Sequence, residues 1–163
     1  MTSQVLRTAL VWLVAIFGTV QGSQAQSITN VSPQEKSVND AIEKAKKTLP
    51  DFFARLAKPQ PGDSQFLVKI RYDVGSGSEK SGEHIWAQDV VRGDDKVTAT
   101  IANVPVKIQN LSKGDRVTVP TSQVTDWLYV RDGKYRGAYT VRALLPFMKP
   151  DEAADMKKRL GPE

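Results

Sequence analysis

The chain contains no cysteine. Disulfide bridges, a thiol nucleophile and a lipid-modified N-terminal cysteine are thereby excluded, and stability has to come from packing. Histidine occurs once, as His84, so any serine triad depends on that imidazole, and a zinc sphere would be left to carboxylates. No metal or other cofactor is expected on those grounds. Nucleophile-elbow patterns of the Gly-x-Ser-x-Gly type are missing, which removes the commonest sequence signal of an α/β-hydrolase serine. Charge of one sign is not concentrated either. The formal net charge is +5, a small surplus more consistent with a solvated surface than with nucleic acid, which is not expected as a partner. A continuous apolar run of the ~20 residues that a spanning helix needs is lacking as well.

The one apolar stretch lies near the start. Arg7 tips it, Leu10 to Phe17 carry no charge, and Ser23 and Ala25 place small residues before Gln26. A charged tip, an apolar run and a small-residue site form a secretory signal peptide over residues 1–25, cut near Ala25/Gln26. Export to the periplasm follows as the expectation, with secretion as the alternative and no membrane span left after cleavage.

Beyond it the pattern first has a helical period. Ser32, Pro33 and Glu35 make a capping box with proline in the first turn, and Val38, Ala41, Ile42, Ala45 and Leu49 recur at helical spacing. Pro50 is expected to break or kink this helix before Phe52, Phe53 and Leu56. Residues 26–65 therefore read as an N-terminal helical segment. From Phe66 the period becomes two: Phe66, Val68, Ile70 and Tyr72 face one way, with Leu67, Lys69 and Arg71 between them. Further short strands are expected at His84–Val91, Lys96–Ala102, Val104–Val106, Val117–Val119 and Trp127–Arg131, with turns at Arg92-Gly93-Asp94-Asp95, Lys113-Gly114-Asp115 and Asp132-Gly133. Thr140 is the expected cap of a short closing helix. Residues 66–148 thus form the β-rich core of the same domain and 149–163 a charged C-terminal tail. The predicted fold is α+β: an N-terminal amphipathic helix packed on a mainly antiparallel sheet or barrel, with a short C-terminal helix.

Several ordered motifs carry a family resemblance: Phe66-Leu67-Val68-Lys69, Glu83-His84-Ile85-Trp86, Ile101-Ala102-Asn103-Val104-Pro105, Asp126-Trp127-Leu128-Tyr129 and Gly137-Ala138-Tyr139-Thr140-Val141-Arg142. Through them the chain closely resembles the YegJ-like bacterial family, domain of unknown function 2314. That resemblance implies no activity and no catalytic residues, because the family has none to transfer. Across Leu111 to Leu145, the turn at Lys113-Gly114-Asp115 with Val117, Val119, Trp127, Gly133 and Tyr139 also resembles bacterial SH3-like domains, which often bind peptidoglycan peptides or other extended ligands; this resemblance implies that the antiparallel sheet or barrel is partly SH3-like.

The residues with chemistry to offer are few. His84 has the only side chain whose unperturbed pKa lies near neutrality, and Glu83 next to it points to the opposite strand face. His84 and Trp86 share one face of their strand, and Trp127 and Tyr129 share a face of theirs, with Trp127 expected in the core. Arg142 suits a carboxylate or phosphate through its planar fork, and Asp126 is its natural structural partner. A ligand groove of His84, Trp86, Tyr129 and Arg142 is therefore expected, in a non-catalytic binding module for an unknown protein or a cell-envelope polymer. Two rivals remain at this point, an envelope hydrolase centred on His84 and a protective protein that binds one protein partner.

Overall fold

A computed structural model describes residues 32–76 and 81–163. The signal-peptide reading falls on residues outside these. Helix α1 (Pro33–Ala57) opens on the expected capping box: the Ser32 hydroxyl accepts from the Glu35 amide at 3.1 Å, and the Glu35 carboxylate accepts from the Ser32 amide at 2.9 Å. Contrary to expectation, the helix runs through Pro50 without ending. Pro50 and Lys46 both lie on the exposed side, where the carbonyl that the proline leaves unpaired is open to solvent rather than buried. On the other side Ala41, Ala45, Leu49, Phe52 and Phe53 bury a continuous stripe that holds both halves in line.

The six strands are β1 (Asp63–Val74), β2 (Ser81–Arg92), β3 (Lys96–Ile101), β4 (Arg116–Pro120), β5 (Val124–Arg131) and β6 (Lys134–Gly137). They form one open antiparallel sheet in the order β4-β3-β2-β1-β5-β6. The α+β expectation is met, but β1 begins three residues earlier than the Phe66 signal. The Leu111–Leu145 stretch does not close on itself as an SH3-like barrel would. Its strands β4 and β5 lie on opposite sides of β3, β2 and β1, because β1 takes β5 as its second neighbour. Val104-Pro105-Val106 is not a strand either. It lies in a loop anchored by Glu83, whose carboxylate accepts from the Val106 and Lys107 amides at 2.6 and 2.9 Å.

Alternation along the strands makes two cores. The front face, under α1, carries Phe66, Val68, Ile70, Tyr72, Ile85, Ala87, Val97 and Trp127. The back face carries Leu67, Trp86 and Leu128, covered by Val141 of α2 (Tyr139–Leu144) and by Met156 and Leu160 at the end of α3 (Pro150–Arg159). The charged C-terminal residues 149–163 thus contain a helix, α3, and are docked on the sheet. Ala153 is buried, and the Gly161 amide donates to the Tyr135 carbonyl at 2.9 Å. The cap of α2 is Ala138, in the left-handed region at φ 53°, and not Thr140. Gly137 just before it has φ 72°, and a Cβ there would stand 2.4 Å from the Trp127 ring, so this corner accepts only glycine.

Candidate functional site

Strand register decides which polar groups meet on the back face. Lys69 lies opposite both Trp86 on β2 and Asp126 on β5, and Arg71 lies opposite His84. The Lys69 ammonium is buried, 4.5 Å from the centre of the Trp86 ring, and donates to the Thr140 hydroxyl at 2.6 Å. That hydroxyl in turn donates to Asp126 Oδ2 at 2.5 Å. Asp126, fully buried, accepts three more hydrogen bonds, from the Trp127 and Tyr139 amides on Oδ1 and the Thr140 amide on Oδ2. Burial pushes the Asp126 carboxyl up and the Lys69 ammonium down, and each charge opposes the other's shift. The network fastens the start of α2 to the centre of the sheet.

His84 sits beside this network. Its Nδ1 is 2.9 Å from the Thr125 hydroxyl, and with that hydroxyl's proton directed to the Lys69 carbonyl at 3.3 Å, Nδ1 is the donor. Burial, with the nearby Lys69 and Arg71 cations, pulls the His84 pKa down to about 4. An expected titration near neutrality is therefore absent from this side chain. The unfolded chain binds the histidine proton from pH 6.5 downward and the folded chain only near pH 4, so stability is full above pH 6.5 and falls as pH drops between those values. The loss amounts to about 3 kcal/mol. His84→Asn should flatten that part of the urea-midpoint-against-pH curve relative to the native chain. Parallel curves for the two proteins would contradict the assignment.

The expected four-residue groove does not assemble. His84 and Trp86 share the back face as predicted, but Tyr129 lies on the front, where its ring stacks on Phe66 at 5.3 Å and on Trp127 at 6.2 Å. The reason is the pairing Val68↔Trp127, which puts odd-numbered β5 residues under α1. Arg142 does not pair with Asp126. Its guanidinium donates to the Gly137 carbonyl at 2.8 Å and the Gly161 carbonyl at 2.7 Å, tying α2 to the C-terminus. Trp127 is core, as expected.

What the structure offers a ligand is a cleft of about 670 Å³ at one end of β1 and β2, with Leu56, Leu67, Trp86, Leu128 and Val91 as apolar walls and Asp89 and Arg116 among its polar residues. Of the four predicted residues only Trp86 reaches it. Lys69 and the cleft were both missed in the sequence. Lys69 reads as an outward position of a half-buried strand, and the pairing of Leu67 with the same outward set was the one sign that this face is also covered. Among the described residues no three His, Asp or Glu side chains are grouped to hold a metal ion.

Residues 35–163 match the model of a family described as an uncharacterized protein conserved in bacteria, DUF2314. The chain is 27% identical over 157 residues to the uncharacterized protein YegJ of Escherichia coli K12, covering 95% of this chain and 99% of that protein. It is 26% identical over 129 residues, 77% of its length, to a Neisseria meningitidis serogroup B protein whose name describes ankyrin repeats, and it spans about half (51%) of that relative. No solved structure matches it.

Proposed function

The chain belongs to the DUF2314 family of bacterial proteins, and we propose that it is an exported, non-catalytic binding module whose ligand sits in the cleft beside Trp86. The observation that carries this reading is the cleft itself, about 670 Å³ with apolar walls and the polar side chains of Gln65, Gln88, Asp89 and Arg116 among its lining, a mixture that suits a binding site. The buried Lys69–Thr140–Asp126 network and the neutral His84 support a structural rather than catalytic role for the polar residues, because each is already hydrogen-bonded within the fold. Export rests on the charged tip, apolar run and Ser23/Ala25 pair of the first 25 residues.

Two measurements test it. Intact mass of the periplasmic protein should give a chain beginning at or within a few residues of Gln26, and retention of Met1 would remove the export half of the proposal. A photo-crosslinking amino acid at exposed Gln88, on the cleft, should capture a periplasmic component that the same group at exposed Ser122 does not. Equal labelling from both positions, or none from either, would overturn the cleft as the binding site.

A further inference from the structure

The cleft lies where two neighbouring strands of the sheet stop pairing. Strands β1 and β2 form a ladder from Val68↔Ala87 to Val74↔Ser81. Short of Val68 they part: Asp63, Ser64 and Leu67 pair with β5, and Gln88, Val91 and Arg92 pair with β3, while no pairing joins the two stretches among the described residues. Each stretch bulges at the split. The register slips between Ser64 and Leu67 on one side and between Gln88 and Val91 on the other. At each bulge one non-glycine residue adopts the left-handed region, Gln65 at φ 51° and Asp89 at φ 53°, a conformation that costs of order 1 kcal/mol or more and collects at functional sites. Leu56, in the last turn of α1, lines the gap.

We infer that this split receives an extended peptide segment of another protein, which adds as a strand to the free edges of β1 and β2. The inference rests on the binding-module reading and names its ligand class. Where β1 and β2 have left each other, the facing sides of the two strands carry backbone N–H and C=O groups with no strand partner among the described residues. A peptide backbone supplies complementary groups in alternation. A glycan, whose hydroxyls follow no such ladder, does not, and the apolar walls at Leu67, Trp86 and Leu128 suit alternate apolar side chains of the incoming strand. Asp89 and Arg116 carry opposite charges, so a segment of little net charge fits best.

The occupant comes from another molecule. Helix α1 puts about 37 Å between Ser32 and the split, whereas in a chain that begins at Gln26, as proposed above, the residues before Ser32 are at most about 20 Å long. The C-terminal residues are held on β6 and α2 by Tyr135 and Arg142.

The test uses the mature chain and a phage-displayed random dodecapeptide library. Selected peptides, made synthetically, should perturb the amide resonances of Gln65–Leu67 and Gln88–Val91. N-methylation of alternate backbone amides should weaken them at least tenfold in one register and little in the other. Val91→Arg, at a position 54% exposed, should weaken them comparably without moving the thermal midpoint, and Val104→Arg, on an exposed loop away from the cleft, should not. Peptides that bind equally well when N-methylated, or that map elsewhere, would overturn strand addition. Absence of any selected peptide, with crosslinking from Gln88 intact, would overturn the peptide inference and leave the binding module standing, whereas loss of both would remove both. A concentration-dependent dimer abolished by Val91→Arg would make a second copy the occupant and overturn the separate-protein reading.

Discussion

Trp127→Ala should lower unfolding stability by ~3–5 kcal/mol, read as a shift of the urea midpoint at unchanged slope. The ring is where the front core is tied together. It stacks on Phe52 at 5.4 Å, meets Tyr139 edge-on at 5.5 Å and lies near Tyr129. Its indole nitrogen donates to the Ala45 carbonyl at 3.1 Å and is 3.2 Å from the Thr48 hydroxyl, so the same side chain fixes the height of α1 over the sheet. Truncation removes buried area and two polar contacts together, and Gly137, packed against the ring, cannot fill the space. Trp127→Phe keeps much of the packing and loses the hydrogen bonds, so it should fall between the native chain and the alanine variant. A midpoint for Trp127→Ala equal to the native value would show that α1 is not held through this ring.

The second large effect concerns Asp126. Asp126→Asn should cost about 3–5 kcal/mol, the range for breaking a buried charged pair, even though it preserves volume. Both carboxylate oxygens accept two hydrogen bonds each. Turned one way, the asparagine NH₂ faces the Trp127 and Tyr139 amides, and turned the other it faces the Thr140 amide, while the Lys69 ammonium loses its buried counter-charge. Lys69→Met should cost less, because Asp126 keeps all four donors while the methionine retains contact with Trp86. Combining the two should cost less than their sum, with a coupling of about 1–3 kcal/mol. The measurement is a double-mutant cycle on urea midpoints. Strict additivity would mean that Lys69 and Asp126 do not sense each other through Thr140.

How much of this was legible beforehand can be followed residue by residue. The capping box at Ser32 and Glu35 and the stripe from Ala41 to Phe53 were readable because a helix start and an apolar face are local patterns. The alternation from Phe66 to Tyr72 was readable for the same reason. Pro50 misled because its cost is local while the burial that outweighs it, at Leu49, Phe52 and Phe53, is tertiary. Thr140 has the side chain of a cap, yet its hydroxyl is engaged by Lys69 and Asp126, which are distant in sequence.

The binding surface divides along the same line. That His84 and Trp86 share a face followed from a two-residue period alone. That Tyr129 lies on the other face, and that Arg142 grips carbonyls rather than Asp126, followed from the β1–β5 register and from the docking of residues 149–163. The sequence by itself determined the leading helix, the strand periods, the turns and the family. Only the tertiary structure decided which strands are neighbours, which face each polar side chain joins, and where β1 and β2 part, because strand pairing is a contact between residues far apart in the chain and no local pattern encodes its partner or its end.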